Sequence, residues 1–133
     1  MEKKDNGLVA NIFDKKSIDS LAGNVGLGHV RYPTAGGLSA TEAQPFFVNS
    51  PLGIYLIHNG NLTNADELMN RLGGRMMKTS SDSEVLLNVF AEDVNEELQA
   101  HPDADVDKIV FDAVTNTMKK VKGAYSCITM VNQ

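Results

Sequence analysis

Three clusters of polar and charged residues can carry chemistry in this chain. The first is Gly28-His29-Val30-Arg31-Tyr32-Pro33-Thr34-Ala35-Gly36, an arginine at the end of an apolar run that opens into small residues. A guanidinium so placed can grip a carboxylate through two parallel N–H bonds, or it can be an edge arginine paired with a structural carboxylate. The second is His58-Asn59-Gly60-Asn61-Leu62-Thr63-Asn64. Asn-Gly after a strand is a strong hairpin signal. Residues 62–72, however, read as a helix rather than a return strand, which puts Asn59 and Gly60 at a strand-to-helix junction. There a side-chain amide and a backbone N–H can both point at one developing oxyanion. The third is Thr79-Ser80-Ser81-Asp82-Ser83-Glu84. Ser81 as a cap and Asp82 as a first-turn acid already explain these residues structurally. Asp82 can also accept hydrogen bonds from a substrate ammonium.

Other chemistries find little support. Cys127 is the single cysteine, so neither an internal disulfide nor a cysteine zinc site is available. It sits in a strand-like run, residues 124–131, and reads as a small core hydrophobe rather than a nucleophile. His29, His58 and Asp82 lack the spacing of a metal site, and Met69, Met76, Met77, Met118 and Met130 read as core filler. The 133 residues carry a formal net charge of −5 and an estimated pI of 5.1, which argues against nucleic acid as a partner. No apolar run approaches the roughly 18 residues of a membrane span, so no membrane partner is expected. The polar opening, Met1-Glu2-Lys3-Lys4-Asp5-Asn6-Gly7, is no secretory signal, and a cytoplasmic address follows. Hydrophobic residues at 42% and charged residues at 22% are ordinary for one globular domain with a real core.

The elements that must position these clusters are legible in outline. Residues 7–13 have weak strand or loop character. Asp14 can cap a short helix through Leu21, with Ile18 and Leu21 inward and Gly23 as its stop. Residues 25–32 read as a strand, and residues 33–44 as a small-residue loop. Residues 46–49 and 54–58 read as the two strands of an antiparallel hairpin joined by Ser50-Pro51-Leu52-Gly53, where Pro presets one dihedral and Gly accepts the unusual one. Thr63 or Asn64 starts a helix with Leu68, Met69 and Leu72 apolar and Gly73-Gly74 as its stop. Ser81-x-x-Glu84 fits a capping box, followed by Val85, Leu86, Val89, Phe90, Val94 and Leu98 at a 3.6-residue period, up to Pro102. A third helix begins near Asp105, with Val106, Ile109, Val110, Ala113, Val114, Thr117 and Val121 on one face. Gly123 stops it, and a last strand follows. Strands, then helices, then a strand give an α+β fold with an unfinished sheet edge.

Taken together, four spaced motifs resemble the N-terminal-nucleophile glutaminase domain (glutamine amidotransferase type 2) of the amidophosphoribosyltransferase family. They are residues 28–36, Glu42-Ala43-Gln44-Pro45-Phe46, His58-Asn59-Gly60-Asn61-Leu62 and Ser81-Asp82-Ser83-Glu84, in the family's order. The similarity runs from about Gly7 to Val131, and residues 31–36 with Asn49-Ser50-Pro51 look fungal. The resemblance implies part of a four-layer αββα sandwich, a mostly antiparallel sheet with helices on one face. It implies that Arg31 binds the α-carboxylate of L-glutamine and Asp82 its α-ammonium. It implies that Asn59 and Gly60 form the oxyanion hole. In the family an N-terminal cysteine attacks the carboxamide, a thioester forms, ammonia leaves and water releases glutamate. The ammonia goes on to phosphoribosylpyrophosphate, forming phosphoribosylamine in the first committed step of purine biosynthesis. Full-length members are homo-oligomers.

The family's mature chain begins Cys-Gly-Ile, and this one begins Met1-Glu2-Lys3. Cys127 matches an internal strand position and has no α-amino group as base. The expectation is an incomplete domain over residues 1–133, a truncated gene product, pseudo-domain or excerpt, nearly inactive as given. No cofactor is expected within these residues, and magnesium only in the phosphoribosyltransferase domain that they do not include. Hexosamine-forming amidotransferases and asparagine synthetases share the arginine, Asn-Gly and aspartate pattern, but Tyr32 and the 58–62 motif favour the purine enzyme. From another class, the chain can be a non-catalytic glutamine-binding or interaction module.

Overall fold

The computed structural model of the chain describes residues 1–31, 40–73 and 75–132. Most of the loop expected over residues 33–44, together with Tyr32, lies outside the described residues. Two short helices come first, α1 (Val9–Ile12) and α2 (Lys15–Ser20), and a 3-10 turn spans Ala40–Glu42. Then follow β1 (Phe46–Val48), β2 (Gly53–Leu62), α3 (Ala65–Arg71), α4 (Asp82–Ala100), α5 (Val106–Lys120) and β3 (Gly123–Asn132). The strands form one antiparallel sheet in the order β1-β2-β3.

The core forms where the apolar stripe of α4 meets one face of this sheet. Phe46 pairs with Leu56, and Leu56 with Thr129, so the alternation puts Phe46, Ile54, Leu56 and Leu62 on the same face. They are buried with Val85, Leu86, Val89, Phe90 and Val94 of α4, Leu68 and Leu72 around α3, and Ile109 and Ala113 of α5. Burying each Leu, Ile or Phe contributes about 1.5–3 kcal/mol. Residues 1–9, 25–31 and 42–45, with Tyr55 and Met130, are among those that line an open hollow of about 1040 Å³.

Caps explain most of the helix ends. The Asp14 carboxylate accepts from the Ser17 amide, as expected, and α2 stops at Leu21. Ser81 Oγ accepts from the Ser83 amide at the start of α4. Gly73, at φ 63°, ends α3. Asn64 caps the start of α3 by position, while its side chain works elsewhere. Its Oδ1 accepts from the Lys122 amide at 2.9 Å and its Nδ2 donates to the Lys120 carbonyl at 3.0 Å. One side chain thus ties the β2–α3 corner to the α5–β3 corner.

Several local expectations are corrected. Residues 25–31 form no strand, because an extended run needs a neighbour's N–H and C=O groups, and among the described residues none pairs with it. Residues 9–12 are a single helical turn, closed by the Phe13 amide on the Val9 carbonyl. Ile18 is exposed, since α2 buries none of its residues. Met69, Met76 and Met118 are also exposed, so only Met77 packs against the core as filler. Cys127 is exposed too: it lies on the edge strand β3, where it lines a hollow with Leu86, Thr117 and Met118. Gly53 opens β2 without a positive φ, and β2 runs on through Leu62, so Asn59 and Gly60 lie inside the strand and the helix starts only at Ala65. The capping box is half formed. Glu84 passes over Ser81 and bonds the chain at residues 78 and 79 instead.

Candidate functional site

The site forms where β2 outruns β1. The first β1 pair is Phe46 with Leu56, so from His58 onward that edge of β2 has no main-chain neighbour in β1. Two side chains meet the exposed amides instead. The His58 amide donates to Gln44 Oε1 at 2.6 Å, and the Leu62 amide donates to Asp82 Oδ2 at 2.9 Å. The Thr63 amide points the other way, to the Lys122 carbonyl. Amides alternate along a strand, so the Gly60 N–H lies on the same edge as those of His58 and Leu62, between them.

Glycine at position 60 is enforced. Its φ is 145°, and a Cβ there would stand 2.3 Å from the Ala124 carbonyl oxygen and 2.5 Å from the Tyr125 Cα. Asn59, one residue earlier, is exposed.

Asp82 is the first residue of α4, where the helix dipole favours its charge. Behind it, Ser83 Oγ lies 2.8 Å from His58 Nδ1. Asp82 Oδ1 is 3.7 Å from that same nitrogen. Ser83, His58 and Asp82 have the residue types of a serine hydrolase triad, but the geometry excludes one. A triad needs the acid and the serine on opposite ring nitrogens. Here both meet Nδ1, and among the described residues the buried Nε2 has no partner. Burial pushes the His58 imidazole below its usual range; the Asp82 charge pulls it back and His29 adds to the lowering. Burial likewise lowers His29, opposed by a bond to the His58 backbone and assisted by the Arg31 charge.

Arg31 reaches the same end of the sheet. Its Nη1 is 3.5 Å from Glu42 Oε2, and Ser80 Oγ donates to Glu42 Oε1 at 3.2 Å. Glu42 therefore links Arg31 to the residues just ahead of Asp82. The guanidinium has five donors, enough to hold Glu42 and a second carboxylate. Glu84 fixes the approach to α4, its buried carboxylate accepting from the Lys78 amide at 2.9 Å, the Thr79 amide at 2.8 Å and Thr79 Oγ1 at 2.7 Å.

All four residues expected at a site, Arg31, Asn59, Gly60 and Asp82, thus gather at one end of the sheet. Sequence reasoning gave Gln44, His58 and Ser83 no site role beyond their place in the motifs, and gave Glu84 only the capping box. For Gln44 the usable signal was its place two residues ahead of a strand, just before a proline. Cys127 pairs with His58 across β2 and β3, yet desolvation pushes its thiol up rather than down. That is the opposite of an activated nucleophile. Among the described residues no three of His, Cys, Asp and Glu converge on a metal position. No helix of the described residues is long and apolar enough to cross a membrane.

Comparison with known proteins gives consistent matches. A family model described as a glutamine amidotransferase domain matches residues 13–103. The amidophosphoribosyltransferase of Escherichia coli is 50% identical over 132 residues, covering 97% of this chain and 26% of that protein. That of Schizosaccharomyces pombe is 44% identical over 132 residues, covering 96% of this chain and 24% of that protein. A solved structure titled as the allosteric regulatory enzyme of purine biosynthesis superposes with a TM-score of 0.71 at 30% identity, over 94% of this chain and 25% of that one. The chain spans about a quarter of the length of the curated relatives it matches.

Proposed function

We infer the function from one premise: the chain belongs to the glutamine amidotransferase domain family. On that premise, we propose that it is the glutamine-binding part of an amidophosphoribosyltransferase. The full reaction would take ammonia from L-glutamine and use it to displace pyrophosphate from phosphoribosylpyrophosphate. The observation that carries the reading is the row of amides on the free edge of β2. The Gly60 N–H stands between amides held by Gln44 and by Asp82, with Asp82 at a helix N-terminus and Arg31 linked in through Glu42.

The roles follow from charge and reach. Arg31 holds the α-carboxylate of glutamine, sharing its donors with Glu42. Asp82 accepts from the α-ammonium through Oδ1, while Oδ2 stays on the Leu62 amide. The Gly60 N–H and the Asn59 amide receive the negative charge that develops on the side-chain carbonyl oxygen as a thiolate adds to the carbonyl carbon. The adduct expels ammonia as a thioester forms, and water then releases glutamate. Cys127 does not supply that thiolate, being a strand residue with a raised pKa. The magnesium and the phosphoribosylpyrophosphate site belong, in this reading, to a phosphoribosyltransferase domain. A cytoplasmic address and assembly into homo-oligomers go with it.

Calorimetric titration with glutamine and a glutaminase assay test the proposal on the 133-residue chain. The chain binds glutamine without turning it over, and Arg31→Ala and Asp82→Ala each weaken binding at least about tenfold, since each removes a charge-assisted contact. Glutamate release at about 1 per second or faster would overturn the assignment of Cys127 as a bystander. Binding indifferent to both substitutions would remove the site.

A further inference from the structure

We propose that Gln44 is a positioning residue for the oxyanion donor: its carboxamide stands in for a missing stretch of strand and fixes the edge of β2 on which the Gly60 amide lies. Extended by two residues, the register that pairs Phe46 with Leu56 would set Gln44 opposite His58. The main chain makes no such pair, since β1 begins only at Phe46 and Pro45 has no N–H to give. The Gln44 side chain makes it instead. Oε1 accepts from the His58 amide at 2.6 Å and Nε2 donates to the His58 carbonyl at 3.0 Å. These are the two bonds that a neighbouring strand exchanges with a residue.

The same Nε2 donates to Ser83 Oγ at 3.3 Å, and Ser83 Oγ lies 2.8 Å from His58 Nδ1. Gln44, His58 and Ser83 therefore close a ring that locks β2 to the first turn of α4, beside Asp82. Asp82 in turn holds the Leu62 amide. The Gly60 amide is bracketed two residues away on either side. At neutral pH a carboxamide offers a donor and an acceptor in one plane at this spacing, which a carboxyl does only when protonated. A glutamate, once ionised, has two acceptors, and one of them would face the His58 carbonyl. Leucine has the bulk and neither group.

The consequence for ligand binding rests on the glutamine reading above, whereas the clamp itself does not, and the experiment separates the two. Backbone amide shifts and hydrogen exchange at His58, Gly60 and Leu62 are recorded without ligand, then glutamine is titrated in, for the wild type, Gln44→Leu and Gln44→Glu. In Gln44→Leu the His58 amide loses protection, the Gly60 amide resonance moves, and glutamine affinity falls about tenfold, the combined effect of two lost hydrogen bonds.

In Gln44→Glu the outcome depends on pH. At pH 8 the variant behaves like Gln44→Leu. As pH is lowered towards 5 the protonated carboxyl regains one donor and one acceptor, and the wild-type amide pattern and affinity return. The wild type, followed over the same range, subtracts the titrations of Glu42, Asp82, His29 and His58, which face the same region. This rescue also carries the test if Gln44→Leu fails to fold. Unchanged Gly60 resonances and affinity in both variants overturn the proposal, as does a Gln44→Glu defect that pH does not relieve. If the wild type binds no glutamine, the functional reading falls, and the exchange and pH data decide the clamp by themselves.

Discussion

His58 shows how a residue can serve a site without touching a ligand. Its backbone is held by Gln44, its ring is buried beside Ser83 and edge-on to Tyr125, and Asp82 is near enough to feel its charge. Protonating that ring means charging a buried group, so its folded pKa lies below the unfolded value of 6.5, and the same holds for His29. For a lowered base the unfolded chain binds the proton first. Stability is therefore fully present above about pH 6.5 and is lost as pH falls through the folded values. The ring resonances of His29 and His58 titrate with midpoints below 6.5, and urea midpoints fall from pH 7.5 to 5.5, less steeply in the His29→Gln, His58→Gln double variant. Midpoints at or above 6.5 would contradict the burial argument. Arg31, Asn59, Gly60 and Asp82 were legible as candidates from residue type and motif. Gln44, Ser83 and Glu84 were not, because their bonds join segments whose register only the folded sheet and helix set. The exposure of Cys127 escaped for a related reason. Alternation along a strand says which residues share a face, not how much of that face is covered.

Helices α4 and α5 rest on a second buried polar contact, remote from the site. Asp93 is fully buried, bonded to Thr117 Oγ1 at 2.6 Å and to the Lys120 ammonium. Desolvation lowers the pKa of Lys120, but the hydrogen bond and charge of Asp93, with Glu96, outweigh it and raise the value above 10.5. This stability is present below about pH 10.5 and is lost as pH rises through the folded value. Lys120→Met keeps the apolar stem and strands the Asp93 carboxylate, which costs about 3–5 kcal/mol in chemical denaturation. Adding Asp93→Asn recovers part of it, since the pair then holds no unpaired buried charge. A double variant no more stable than Lys120→Met would mean that the charge is not the source of the cost. The helices themselves were plain in the sequence, because caps and a 3.6-residue period are local signals. The strand expected over residues 25–32 is absent from its described part, residues 25–31, because pairing is not local. Its alternation is real, but a strand exists only with a partner.

Across the whole molecule, the site draws on parts of unequal stability. Asn59, Gly60 and Asp82 stand on β2 and α4, which share the buried core, whereas Arg31 stands on a segment outside the helices and strands, joined to Glu42 by an ion pair. A ligand bridging them must stabilise the first pair globally and the segment locally. At a free concentration ten times its Kd, glutamine adds about 1.4 kcal/mol to unfolding and raises Tm by about 5 °C. Asp82→Ala, binding at least about tenfold more weakly, cuts the gain to about 0.4 kcal/mol or less at the same glutamine concentration. A change at the exposed Lys108–Asp112 pair of α5, Lys108→Ala, leaves it intact. Hydrogen exchange separates the local effect, since glutamine protects amides 25–31 by more than the global shift accounts for, and Arg31→Ala removes the excess. Equal protection in every segment would mean that Arg31 takes no part in binding and that the site is confined to the strand edge and the helix.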